Sequence, residues 1–442
     1  MICPRYVRVL KRISRIAVDL RPLRESRDFR LLTAGSLITG LGTQATLVAL
    51  PYQVFVTTDS VFLTGLLGAA ELVPLAAGSL YGGALADRFD RRTLLLACQL
   101  ALVAVAAALA LAAAAGSPPV WLIFILAAAI AGASAVERVV RAAIVPNTVR
   151  PEHLRGALSL TYGLYQLTQV AGPGVGGLLI AGFGVAVPYG LDSVSCLGMA
   201  AAAAAMSAQP PHQATEHEPV LRSIRSGLSF VRRVKAVTAG FVIDLSAMTF
   251  GMPRALFPVL SLTVFHAGAA GTGLLFASVA AGSTVAALTT GWLLTARYLG
   301  RIVLVAVAAW GACIAIAGTL GSLWPAAALF ALAGAADSIS AVCRSTIAQT
   351  LTPDRMRGRM TSVFSLVVAG GPRLGDIESG SVAALTSPIF SVVSGGLACL
   401  ASVGLIAALF PQLAAYDGDL VGAGEVGAPD PEPEAVGATA PS

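Results

Sequence analysis

Eight ionisable side chains stand inside stretches otherwise built of alanine, leucine, glycine and valine: Glu71, Asp192, Asp244, Arg254, Asp337, Arg373, Asp376 and Glu378. A charge in such surroundings is costly, so each is a candidate functional group with a partner to be found. The chemistry open to them is proton binding and ion recognition. A carboxylate withdrawn from water can take up and release a proton near neutrality, and an adjacent guanidinium opposes this. Arg373 and Asp376 are three residues apart and share a helical face, whereas Glu378 points elsewhere. Two readings of Asp376 stand side by side. Either it carries a proton, with Asp244 or Glu71 in support, or Arg373 holds it ionised as a structural pair. Pro253 and Pro258 flank Arg254, so a helix is expected to break there. Asp192 is expected at an outer interface. His153, His212, His217 and His266 fall in loops and offer no proton relay. The six cysteines are scattered without a CxxC, which implies neither a disulfide framework nor a zinc site. No cofactor and no metal are expected.

The elements that hold these groups follow from composition. The chain has 442 residues, of which 56% are hydrophobic and 12% charged. Soluble domains carry about 25% charged residues, so lipid must be the solvent for much of this chain. Apolar runs of about 20 residues, enough to cross a bilayer, lie near 31–56, 62–86, 93–116, 119–140, 157–182, 185–207, 236–262, 271–296, 301–321, 323–345, 358–384 and 388–410. The expected class is therefore an all-α membrane protein with twelve transmembrane helices. In that layout every basic residue except Arg254 and Arg373 falls at one face, where basic residues mark the cytoplasm. The opposite turns "TTDS", "GSPP" and "LTSP" have none. Both termini and the turn "DRFDRR" are thus placed in the cytoplasm. Residues 1–30 form a basic segment in which Arg5, Arg8, Lys11, Arg12 and Arg15 share one helical face, suited either to an anionic leaflet or to a mobile tail.

The chain also divides in two. Residues 208–235 make the longest polar interruption and separate a bundle over 31–207 from a bundle over 236–410, six spans each. "RPEHLRGALSL" resembles "TPDRMRGRMTS" and "AGPGVGG" resembles "GGPRLGD", with offsets of 353 − 151 = 202 and 372 − 173 = 199. A weaker echo links "GGALADR" to "GWLLTARYLGR", offset 291 − 83 = 208. A recurring shift near 200 implies a parallel repeat about an axis along the membrane normal. Residues 411–442, acidic and rich in Pro, Gly and Ala, are expected to be a disordered tail.

Two motifs carry a resemblance. "GGALADRFDRR" is similar to the signature between the second and third spans of the major facilitator superfamily, matching at Gly83, Leu85, Asp87, Arg88, Arg91 and Arg92, with Asp90 where Gly is usual. The resemblance implies a cytoplasmic gate. Asp87 would face the positive amino end of span 11, and an arginine of the turn would reach Glu137 at the inner end of span 4. "GPGVGG", with Gly172, Pro173, Gly174, Gly176 and Gly177, resembles the fifth-span motif of the superfamily's antiporters, although Ser159 and Thr168 replace its upstream glycines. Small residues there let helix backbones approach. Over residues 25–410 the pattern, with "LRSIRSGLSFV", "PRALFPVL" and "GGPRLGDIESG", looks most like the enterobactin-exporter branch. This implies a monomeric major facilitator of the bacterial inner membrane, exporting a drug-like or amphiphilic compound in exchange for protons. Its central site would be formed by spans 1, 4, 7 and 10, with Gln44, Gln53, Asp244, Arg254 and Asp337 among the lining groups. A dedicated siderophore exporter is the alternative, and a non-transporting membrane sensor is the alternative from another class.

Other functions find no support. The lysines Lys11 and Lys235 stand in "LKR" and "VKA", not behind a glycine-rich phosphate loop. No H-E-x-x-H or G-x-S-x-G occurs, so an enzyme lacks its machinery. The basic residues are dispersed over short turns, which membrane topology explains without nucleic acid as a partner. The partners expected are membrane lipid, a small-molecule substrate and protons. Reporter fusions at Asp90, within the 208–235 segment and at the C-terminus should all report the cytoplasmic side. One fusion on the opposite side from the other two would overturn the orientation.

Overall fold

The computed structural model describes residues 20–211, 220–353 and 356–417. The amphipathic stretch expected before Leu20 and the tail beyond Asp417 lie outside the described residues. Twelve long helices run through the described residues: α1 Arg27–Thr58, α2 Val61–Arg88, α3 Arg91–Ala114, α4 Val120–Thr148, α5 Leu154–Phe183, α6 Ala186–Ala205, α7 Lys235–Phe250, α8 Gly268–Thr289, α9 Leu299–Gly318, α10 Leu323–Thr350, α11 Arg357–Leu385 and α12 Pro388–Leu409. With α7 followed through its break to Val264, nine of them are long and apolar enough to cross a membrane. The other three, α5, α6 and α11, dilute their apolar residues with Gly, Ser, Thr and Tyr or, in α11, with charge.

Local signals set the helix starts. Ser26, Ser60, Asp90 and Ser387 cap α1, α2, α3 and α12 by accepting from the backbone N–H three residues on, at 3.1, 3.3, 2.9 and 3.1 Å. Each supplies an oxygen to a donor that the helix itself leaves orphaned. Helix α4 runs further than its apolar run, through Pro146 to Thr148, because Val140, Ile144 and Val145 are buried against α1 and α3 residues such as Phe29 and Leu95.

The packing pattern repeats. In the first half α1 lies against α5 and α6, α2 against α4, and α3 against α4 and α6. In the second half α7 lies against α11 and α12, α8 against α10, and α9 against α10 and α12. The second set is the first with six added to every label. The two bundles meet along two seams, α2 with α11 and α5 with α8, which are exchanged by the same operation. Glycine permits both. A Cβ on Gly65 would stand 2.7 Å from the Cα of Gly380, and one on Gly177 would stand 2.7 Å from the Cα of Gly273. Backbones this close leave no room for any side chain.

Residues 411–417 depart from the expected disorder. Pro411–Ala414 form a short helix, Leu413 is fully buried, and the Asp417 carboxylate accepts from Arg297 Nε at 2.7 Å. The apolar Leu413 and Tyr416 find a groove beside α7 and α9, which composition does not reveal. The central segment holds a helix over Val220–Arg233 that packs on α11 and α7. Its Val231 is buried among Val237, Ala348, Met360 and Val363.

Gly177→Leu and Gly380→Leu should each lower the thermal unfolding midpoint of the detergent-purified protein, overpacking typically costing about 1–3 kcal/mol. Gly182→Leu, where a Cβ meets nothing within 4 Å, should not. Equal effects of all three would refute the seams.

Candidate functional site

Helix α7 ends at Phe250 because Gly251 and Pro253 interrupt its ladder. Arg254–Leu256 form a 3₁₀ turn, Phe257–Val259 resume the helix, and Leu260–Val264 widen into a π turn. The break frees backbone at membrane depth, and a neighbouring helix supplies the partner. Asp376 of α11 accepts from the Ala255 N–H at 3.1 Å and from Arg254 Nη2 at 2.9 Å. One carboxylate therefore holds both the broken backbone and its guanidinium.

Arg373 does not pair with Asp376, against the expectation from their spacing. Its Nη2 lies 3.2 Å from Glu71 Oε2 on α2. Sharing a helical face was not enough, because each group found a better counter-charge on another helix. The Glu71–Arg373 pair crosses the α2–α11 seam, so it ties one bundle to the other. Glu71, Arg254 and Asp376 line a common cavity with Pro51, Thr64 and Phe276. Two guanidiniums and two carboxylates in one place leave it electrically balanced.

A second cluster lies within the second bundle. Arg344 of α10 reaches Asp244 of α7 at 2.6 Å, Asp337 at 3.7 Å and Ser340 Oγ at 3.0 Å. The sequence layout puts Arg344 among the basic residues at the cytoplasmic face, and the structure corrects this: it is 6% exposed and belongs to the bundle interior. The signal was available, since Ser340 and Asp337 precede it by four and seven residues and so share its face.

Asp192 is buried, not interfacial. It accepts from Thr43 at 3.1 Å and Thr46 at 2.8 Å, joining α6 to α1. Gln53 is likewise inside the first bundle, accepting from Tyr189 Oη at 2.7 Å. Glu378 lies on α11 half-buried, apart from the Arg254–Asp376 pair.

The turn after α2 has its own economy. Asp90 caps α3 and accepts from the Gln209 N–H at 2.7 Å. Arg91 is buried and donates to the Ala86 and Ala143 carbonyls at 3.3 and 3.1 Å. Arg92 donates to the carbonyls of Ala203 and Ala204 at the end of α6. Such bonds complement the negative carboxyl ends of helices. Arg88 lies over the Phe89 ring at 5.7 Å. The expected contact from this turn to Glu137 is replaced by Arg141 at 3.4 Å, one helical turn along α4, and by Gln99 at 3.4 Å. A Cβ on Gly83 would meet nothing within 4 Å, whereas one on Gly82 would stand 3.2 Å from the Cα of Val136. It is thus Gly82, not Gly83, that admits α4. Asp87 is half-buried at the end of α2.

In α5 the small residues divide by face. Gly172 and Gly176 press on Gln44 and Ala45 of α1, while Gly177 meets Gly273 of α8. The Pro173 carbonyl lies 2.6 Å from where a Gly273 Cβ would be. The motif therefore builds both a bundle and a seam.

A family model for transmembrane secretion effectors, a group of major facilitators, matches residues 17–432. The chain belongs to that family. It is similar to the enterobactin exporter EntS of Citrobacter koseri, 27% identical over 398 residues, which cover 88% of this chain and 93% of that one. The similarity to EntS of Shigella boydii is 26% over 388 residues, covering 87% and 92%. Among solved structures, the nucleoside transporter NupG superposes with a TM-score of 0.71 at 14% identity, covering 88% of this chain and 100% of that one. A D-xylose–proton symporter gives 0.64 at 15%, covering 87% and 98%. These solved structures establish the fold alone. This secretion effector is a membrane protein of the major facilitator type, and its family and neighbours are transporters, not enzymes.

Removing one member of a buried ion pair typically costs about 3–5 kcal/mol, since the other charge stays behind. Asp376→Asn should therefore lower thermal stability sharply, and Arg254→Gln combined with Asp376→Asn should recover much of the loss. Strictly additive effects of the two substitutions would show that the pair contributes no coupling.

Proposed function

We propose that this secretion effector is a secondary active exporter that moves a small amphiphilic compound out of the bacterial cytoplasm in exchange for protons. The observation that carries the reading is the ion pair Glu71–Arg373, 3.2 Å across a seam between two equivalent bundles. A bond of that kind, beside a cavity that both bundles wall, can form in one arrangement of the bundles and part in another. This is what alternating access requires. The whole-length likeness to exporters supports the direction of transport.

The remaining roles follow from position. The basic turns face the cytoplasm, and both termini with them. Gly83, Asp87, Arg88, Arg91, Arg92 and Glu137 form the cytoplasmic gate region, with Asp87 directed to the amino end of α11. In the antiporter-type motif Gly172 and Gly176 seat α5 on α1, while Pro173 and Gly177 let α5 slide against α8 without side chains in the way. Arg254, Arg373, Asp376 and Glu71 serve substrate recognition and closure. Asp244 and Asp337 stand nearer the proton. The protein works as a monomer.

One observation favours a narrower substrate. Two guanidiniums, Arg254 and Arg373, converge at the seam, and either could exchange its carboxylate for an anionic ligand. A carboxylate or catecholate siderophore has that chemistry, in keeping with relatives named enterobactin exporters.

Purified protein in liposomes under an imposed pH gradient should move a hydrophobic fluorescent dye, and a protonophore should stop the flux. Flux indifferent to the gradient would overturn proton exchange. Flux of a catecholate without flux of any dye would replace the amphiphile by the siderophore.

A further inference from the structure

The other buried ion pairs among the described residues match one cation to one anion: Arg254 with Asp376, Arg373 with Glu71, Arg141 with Glu137. The cluster inside the second bundle does not. There one guanidinium, Arg344, faces two carboxylates, Asp244 and Asp337. Arg344 also donates to Ser340, a neutral group that leaves the charge count unchanged.

No described neighbour corrects the excess. Helix α8 has no ionisable side chain over Gly268–Thr289, and α9 has only Arg301 and Cys313. Arg301 is occupied at the helix end, donating to the Ala414 carbonyl and lying over the Tyr298 ring. Helix α12 contributes only Cys399, and α10 itself adds only the buried Cys343. On α11, Arg373 and Asp376 are engaged with Glu71 and Arg254, and Glu378 lies beyond them towards Leu385. On α7, Lys235 is exposed at the helix start, and beyond the break Arg254 is engaged with Asp376. Arg225, Arg232 and Arg233 of the Val220–Arg233 helix point to solvent. An uncompensated charge in such an interior costs several kcal/mol, and a proton removes it.

The geometry also gives the two carboxylates different outlooks. The Asp244 and Arg344 side chains are each 6% exposed, whereas that of Asp337 is 31% exposed. Asp244 and Arg344 close the floor of a small cavity walled by Ala236, Gly240, Phe241 and Phe364, towards the end where α7 begins and α10 finishes. Asp337 stands about 10 Å further along α10, seven residues at 1.5 Å each. The offset is in the backbone alone: both carboxylates meet the same nitrogen, Arg344 Nη2, at 2.6 and 3.7 Å.

We propose that Asp244, Arg344 and Asp337 form a site for one proton, in which Arg344 binds one carboxylate and the other carries the proton. In the structure the short contact is to Asp244, so Asp337 is the proton-bearing member. A shift of the Arg344 head from Asp244 to Asp337 hands the proton from Asp337 to Asp244. This rests on the transporter reading only for its use; the binding itself does not depend on it.

The detergent-purified full chain is examined by infrared difference spectroscopy on a change of pH, which reads the C=O stretch of protonated carboxyl groups directly. One carboxyl signal should disappear in Asp337→Asn. It should also disappear in Asp244→Asn, because removing either acid leaves a balanced pair. Asp376→Asn should retain it, and Asp337→Glu and Asp244→Glu should retain it as proof of a folded site. Persistence of the signal in either Asn variant, or its loss in Asp376→Asn, would overturn the proposal. Dye flux in liposomes is scored apart: its absence beside the expected infrared pattern defeats the transport reading and leaves the proton site standing.

Discussion

Everything in this molecule is built around backbone-to-backbone contact between two bundles that have no hydrophobic reason to prefer each other over lipid. Lipid tails are as apolar as leucine, so association must come from close packing and polar bonds. Gly65 with Gly380 and Gly177 with Gly273 supply the close packing, one pair in each seam. Their offsets, 273 − 65 = 208 and 380 − 177 = 203, match the shift that relates the halves of the sequence. The seams are therefore one device used twice. A glycine contact of this kind holds the bundles together without interlocking side chains.

Charge obeys the same economy. In each buried site the counter-charge comes from wherever lipid-excluded geometry allows. Asp376 takes the guanidinium next to the broken backbone of α7, Glu71 takes the one across the seam, and Asp192 takes the hydroxyls of Thr43 and Thr46. The break in α7 sets this arrangement. Pro253 removes a donor, Arg254 swings out of the helix line, and Asp376 becomes common property of side chain and backbone. Arg373 is then left to Glu71, and the two bundles are joined as a by-product.

How much of this the sequence discloses depends on the kind of information. Helices dictated by apolar length lie close to their runs, and the repeat foretells the exchange of seams. The buried charges are visible as charges. Their partners are not, because a one-dimensional face such as that of Arg373 and Asp376 says who is near along the helix and nothing about who arrives from another. Arg344 shows the opposite failure. Its position near a basic turn masked its periodicity with Asp337 and Ser340. The α2–α3 turn shows a third, since an arginine can satisfy the orphaned carbonyls of a helix end as well as a carboxylate, as Arg92 does on α6. Around Leu413 the composition is that of a disordered tail, yet two buried side chains, Leu413 and Tyr416, suffice to anchor a short helix.

The two charge clusters are connected through one element. Asp244 lies in α7 before its break and Arg254 lies at the break, ten residues apart on a helix that cannot transmit strain rigidly past Gly251. A change of partner at Arg344 alters the hold on the first segment of α7, while Asp376 holds the second. The break therefore separates a half held by the Arg344 cluster from a half held at the seam. The interruption at Gly251 to Pro253 keeps the two clusters on separate helical segments, where a continuous helix would join them in one rigid body.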